Sequence, residues 1–154
     1  EAHDLQAWWQ ETLAPHRLLA AHKALELIDS EPLADQPLRF DATRLSQVIN
    51  NLVGNAIKFT EHGQVRVTGV WDVATRSLHI EVADTGPGIS EPEMALLWEP
   101  YAQGSAGRLA AEGAGLGLAI TRQIVAAMGG TIAVAPGATT GSCFMVQLPL
   151  ENAA

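Results

Sequence analysis

The chain has 154 residues, 47% hydrophobic and 17% charged, the composition of a globular domain long enough to bury a core. Its formal net charge of −8 argues against nucleic acid or anionic membrane as a main partner. An anionic ligand would need local help from backbone N–H groups, a metal or a few placed cations. Cys143 is the single cysteine, which excludes an internal disulfide and a cysteine zinc cage. No apolar run approaches membrane-spanning length, and no secretory signal is visible. A chain beginning at Glu1 is expected to be part of something longer, and this part is expected to be cytoplasmic.

From about Asp4 to His22 the sequence predicts an amphipathic helix carrying Leu5, Trp8, Trp9 and Leu13, interrupted or bent near Pro15. Adjacent tryptophans cannot both centre one narrow stripe, so either one faces a neighbouring domain or both are partly buried. Ala24 to Asp29 reads as a strand. Asp41 is the expected N-cap of a helix running to Thr60, with Leu45, Val48, Ile49, Leu52 and Ala56 as its apolar stripe. His62-Gly63 turns the chain into a strand over Gln64 to Asp72, and Leu78, Ile80 and Val82 alternate in the next. A glycine-rich turn, Asp84 to Ile89, leads to a capping box of Ser90 and Glu93 on a short helix. After a loose segment from about Gln103 to Gly113, a helix is expected over Leu116–Met128, closed by Gly129-Gly130. Strands near Thr131–Val134 and Ser142–Leu148 finish the chain, with Cys143 expected as a buried strand cysteine. The expected architecture is an α+β two-layer sandwich, one domain over residues 1–154, with helices on one face of a mixed, mainly antiparallel sheet.

Three motifs carry chemistry. In the helix ending Asn51-Leu52-Val53-Gly54-Asn55-Ala56-Ile57-Lys58-Phe59-Thr60, positions 51 and 55 share a face, and position 58 returns to within about 20° of position 51. Two carboxamides and a lysine on one face suit a hydrated Mg²⁺ and phosphates, the alternative being a solvated polar face. In Asp84-Thr85-Gly86-Pro87-Gly88 a buried carboxylate at a strand end would accept from the exocyclic amine of adenine. The same carboxylate would be repelled by the carbonyl at that place on guanine. The alternative is an ordinary Asp-Gly turn. Gly113-Ala114-Gly115-Leu116-Gly117-Leu118 opens a helix, where N–H groups and the dipole favour an anion. No phosphate-loop lysine motif is present, and Leu118 stands where a dinucleotide fingerprint needs glycine.

Taken together and in this order, these motifs resemble the ATP-binding domain of sensor histidine kinases. More broadly, they resemble the superfamily shared with gyrase, heat-shock chaperones and mismatch-repair ATPases. Leu97-Trp98-Glu99-Pro100-Tyr101 resembles the family's aromatic box, and the stretch from Gly141 to Pro149 its final strand. The resemblance implies ATP and Mg²⁺ as cofactors, with Asn51 and Asn55 at the metal-triphosphate and Asn55 the more direct ligand. It implies Lys58 near the phosphates, Phe59 against the nucleotide, and Asp84 reading adenine with Gly86, Gly88 and Ile89 around it. Gly113, Gly115, Leu116, Gly117 and Leu118 would present backbone to the phosphates, and Ser142 would reach adenine through water. Residues from about Ser90 to Ala114 would form a lid over ATP. Its one cation, Arg108, is either a phosphate contact or a solvated loop residue.

The superfamily's ATPases carry a glutamate where this chain has Asn51, and an amide cannot activate water by taking a proton. The resemblance therefore implies phosphoryl transfer to a neutral imidazole rather than hydrolysis. The acceptor histidine is expected on a separate dimerisation domain, because His3, His16, His22, His62 and His79 lack its motif context. The expected partners are that dimerisation domain and, downstream, a response-regulator receiver domain. No nucleic acid and no direct membrane contact are expected. This piece is expected to be monomeric and the full-length protein anchored in the inner membrane. Two other readings stay open. One is a degenerate module of the same fold acting through protein contacts; the other is an ATPase or serine kinase of the superfamily.

Overall fold

Seven apolar side chains at helical spacing, Leu45, Val48, Ile49, Leu52, Val53, Ala56 and Ile57, are buried along one side of helix α2, Ala42–Phe59. Asp41 caps it, its Oδ1 accepting from the Arg44 N–H at 3.1 Å. In the computed structural model, which describes residues 1–98, 115–137 and 140–152, α2 lies between two other helices. These are α1 (Leu5–His22) and, counting the short α3 (Glu91–Leu96), α4 (Gly115–Ala127).

The helices rest on a five-stranded sheet of order β2-β4-β5-β7-β6. Its strands are β2 (Glu26–Ser30), β4 (Gln64–Asp72), β5 (Ser77–Asp84), β6 (Thr131–Pro136) and β7 (Ser142–Pro149). Only β2 runs parallel to its neighbour β4; the other pairings are antiparallel. The register Val67↔Val82↔Phe144 sets three buried side chains across the inner face. A small antiparallel sheet of β1 (Ala2–His3), β3 (Leu38–Arg39) and β8 (Glu151–Asn152) ties residues near both ends of the chain together. That sheet is not predicted from sequence, because two-residue strands carry no readable periodicity. The α+β sandwich itself is as expected.

Three local expectations change, and the alternative left open for the tryptophans is decided for burial of both. Helix α1 runs through Pro15 without interruption. Trp9, Leu13, His16 and Ala20 are buried on both sides of it, and that packing offsets a proline cost of about 3 kcal/mol. Both tryptophans are buried in this domain. Trp8 donates from Nε1 to Ser46 Oγ at 2.8 Å, and the Trp9 ring lies over Gly69, where a Cβ would come within 3.0 Å of it. Ala24 belongs to the helix end rather than to a strand. Its φ is +56°, its N–H bonds to Ala21 O, and the Leu25 N–H reaches back to Ala20 O at 2.9 Å, a Schellman cap. Cys143 faces away from Phe144 and Val146 and is half-buried, because alternation puts odd-numbered residues of β7 on the open face. Gly129-Gly130 closes α4 as predicted, with Gly130 N–H on Val125 O at 2.9 Å and φ +79° at Gly129.

Candidate nucleotide site

The C-terminal end of α2, the end of β5 and the start of β7 meet at Asp84. Its carboxylate accepts from the Gly86 N–H through Oδ1 at 2.9 Å and from the Ser142 hydroxyl through Oδ2 at 2.9 Å. An ionised carboxylate only accepts, so Ser142 must be the donor. Sequence reasoning places Ser142 near the base through water; the structure places its hydroxyl directly on Asp84. With about four lone-pair positions in all, the carboxylate retains capacity for a further donor.

Space around this carboxylate is tight and favours glycine. A Cβ on Gly86 would lie 3.1 Å from both Asp84 Oδ1 and the Phe59 carbonyl oxygen, and 3.3 Å from Thr60 Oγ1. Gly141, with φ +77°, passes so close to the Asp84 carbonyl that a side chain there would collide with it. From the sequence, Gly141 enters only as the start of the stretch that resembles the family's final strand. Sequence reasoning also passed over Thr60, a wholly buried side chain whose hydroxyl has no hydrogen-bond partner among the described residues. Thr85 pins the turn from beneath, its Oγ1 accepting from the Gln64 N–H at 3.0 Å. Ile89 is half-buried and packs against the core.

The second cluster lies along α2 towards α4. Asn51 and Asn55 are half-buried, Phe59 is half-buried and Lys58 is exposed, with Nζ 5.7 Å from the Phe59 ring centroid. Asn51 Nδ2 donates to Thr121 Oγ1 at 2.9 Å and approaches Gly117 O at 3.3 Å, so Asn51 joins α2 to the first turns of α4. Gly115, Leu116, Gly117 and Leu118 form the start of that helix. The Leu118 side chain is buried in the core, which leaves only its backbone for a ligand. Lys23 donates from Nζ to Ile57 O at 2.8 Å and to Lys58 O at 3.1 Å, capping the carbonyl end of α2. Nothing in the sequence flagged Lys23, since the two residues lie 34 and 35 positions away.

Arg108 and Gly113 lie outside the described residues, as do Glu99, Pro100 and Tyr101 of the aromatic box. Trp98 is described: its ring meets Phe144 edge-on at 5.9 Å and has the Arg122 guanidinium 6.0 Å above its centroid. Among the described residues no three His, Cys, Asp or Glu side chains are grouped to hold a metal ion. The amide oxygens of α2 are neutral, hard donors that suit Mg²⁺ brought in with phosphates. In that respect the residues present fit the ion that the motifs imply.

The carboxylate held by two donors and the amide-lined face of α2 are carried by one two-layer α+β fold. The chain belongs to the histidine kinase-, DNA gyrase B- and HSP90-like ATPase family, whose model matches residues 40–152. It is 40% identical over 137 residues to the virulence sensor protein BvgS of Bordetella bronchiseptica, a match covering 86% of this chain and 11% of that protein. The chain thus spans about a tenth of the length of that curated relative. Full-length ShkA, solved in complex with AMPPNP, superposes with a TM-score of 0.83 at 32% identity, covering 100% of this chain and 32% of that one. The catalytic domain of histidine kinase ThkA gives a TM-score of 0.78 at 25% identity, covering 97% and 95%. The fold is that of histidine-kinase catalytic domains.

Proposed function

We propose that this domain binds Mg-ATP between Asp84 and the Asn51–Asn55 face of α2, and presents the γ-phosphoryl group to a histidine on a dimerisation domain of the same full-length kinase. The observation that carries the reading is the Asp84 carboxylate, fixed by Gly86 and Ser142 with acceptor capacity left over. An exocyclic amine satisfies that capacity and a carbonyl does not, which favours adenine over guanine. The AMPPNP complex of the ShkA relative supports an adenine nucleotide in this fold.

In this reading Phe59 offers a flat apolar surface to the nucleotide, Gly86, Gly88 and Ile89 border the base, and Lys58 offsets phosphate charge. Backbone N–H groups of Gly115, Leu116, Gly117 and Leu118 at the start of α4 supply donors that a chain of net charge −8 lacks in side chains. Gly113 and Arg108 belong to the same proposal as lid contributors. Asn55 is assigned as protein ligand to Mg²⁺, and Asn51 acts beside it. When bound, the metal would supply charge neutralisation on the triphosphate. Position 51 carries an amide, which cannot take a proton from water, so the residues favour positioning for transfer over hydrolysis. A receiver domain is the expected downstream acceptor. ATP as substrate puts the domain on the cytoplasmic side, monomeric by itself, with any membrane anchor elsewhere in the full-length protein. No described helix is long and apolar enough to cross a membrane.

Incubating the full-length chain with ATP labelled at the γ position tests the transfer. An acid-labile, base-stable phosphohistidine outside these residues, lost in Asn55→Ala, is the predicted result. Steady phosphate release without protein labelling would instead identify a water-using ATPase.

A further inference from the structure

Thr121 lies in α4 with no exposed surface. Its Oγ1 stands 2.7 Å from Gly117 O, one turn back, and 2.9 Å from Asn51 Nδ2. A hydroxyl has one proton and a carbonyl oxygen only accepts, so that proton goes to Gly117. Towards Asn51 the hydroxyl can then act only as an acceptor, and the NH₂ end of the amide is the end that satisfies it. Reversing the amide would set Asn51 Oδ1 against Gly117 O, two acceptors in contact, and leave one hydroxyl proton for two oxygens. The loss of these hydrogen bonds disfavours the reversed amide by roughly tenfold or more.

We infer that Thr121 is a positioning residue: its hydroxyl fixes the Asn51 amide with nitrogen towards α4, and so keeps Oδ1 as the end available for Mg²⁺ or its water ligands. The inference rests on the nucleotide-binding reading above. The orientation is set by the Gly117 carbonyl before any nucleotide arrives, mainly through Thr121 Oγ1 at 2.9 Å and secondarily by its own longer approach to Asn51 Nδ2 at 3.3 Å. Back-bonding to a carbonyl one turn earlier is common for threonine and by itself needs no partner on another helix. The further contact to Asn51 is what joins the α4 turn to the polar face of α2. A reversed amide would turn two N–H donors towards the cation, which no metal accepts as ligands.

Thr121→Val keeps the buried shape and removes the hydroxyl, while Thr121→Ser keeps the hydroxyl. Calorimetric titration with ATP, with Mg²⁺ and with EDTA, gives the gain in affinity due to the metal. The expected result is a gain reduced about tenfold in Thr121→Val, Mg²⁺-free ATP affinity changed less than about twofold, and near wild-type behaviour in Thr121→Ser. A second readout uses no nucleotide. The Asn51 side-chain NH₂ resonances, assigned by their loss in Asn51→Ser, should be slow to exchange in wild type and in Thr121→Ser, and should shift and exchange faster in Thr121→Val, where only the 3.3 Å approach to Gly117 O remains. Thr121→Ala serves if the valine variant does not fold. An unchanged metal gain in Thr121→Val, or unchanged Asn51 resonances, would overturn the inference. Should wild type itself gain nothing from Mg²⁺, the site reading fails, and the resonance comparison still decides the role of Thr121.

Discussion

Asp84 is tethered by donors from two elements, the Gly86 backbone and the Ser142 side chain, so its direction is fixed in advance. In the proposed reading, pre-orientation of this kind would make the single carboxylate a selective acceptor, because no reordering would be needed when a base arrives. The carboxylate also acts on its neighbour. Burial pushes the Cys143 thiol up from its ordinary value, and the Glu81 and Asp84 charges push the same way. The thiolate is the reactive form, so a raised thiol is mostly protonated at neutral pH. Iodoacetamide should therefore label folded protein more slowly than denatured chain at pH 7.5. The rate should climb only above the usual thiol range, and Asp84→Asn should shift that onset downward. Equal labelling of folded and denatured protein would contradict this. At this scale the acceptor at Asp84 was legible, because a strand-ending aspartate before paired glycines is a local pattern. Thr121 and Lys23 were not, since each acts through a residue more than 30 positions away.

Helix α1 shows what elements hide from a sequence. Its apolar positions and its start near Asp4 are readable, and in the structure Asp4 caps it, accepting from the Gln6 N–H at 3.0 Å. Its end is not, because Ala24 takes the left-handed conformation that a glycine usually supplies. A non-glycine residue there carries strain of about 1–2 kcal/mol. Ala24→Gly should consequently stabilise the domain by about 0.5–1 kcal/mol, the relief being partly offset by the entropy of a freer unfolded chain. Urea unfolding followed by tryptophan fluorescence would show a higher midpoint at unchanged slope; a lower midpoint would mean that Ala24 is not strained. The same physics explains α1 and Pro15, where local propensity argued for a break and tertiary burial overrode it. Alternation fixed the long strands β4, β5 and β7 well, whereas the pairing of β1, β3 and β8 depends on ends that meet only in the fold.

At the scale of the whole molecule, the proposed reading has an acidic chain hold a polyanion by lending it backbone N–H groups, one exposed lysine and neutral amides. Three separated motifs are brought together because α2 runs in contact with both β5 and α4. The order of those motifs was readable without coordinates; their meeting along α2 required the fold. With no cluster of acidic or imidazole ligands among the described residues, Mg²⁺ should bind measurably only with the nucleotide. Titrating the purified domain by calorimetry with ATP and with GTP, each with and without Mg²⁺, beside Asp84→Ala, tests the central claim most directly. The account predicts Mg²⁺-strengthened ATP binding, at least about tenfold weaker binding of GTP, and loss of ATP affinity by a similar factor or more in Asp84→Ala. A folded domain that binds neither nucleotide, or binds both equally with Asp84→Ala unchanged, would contradict it.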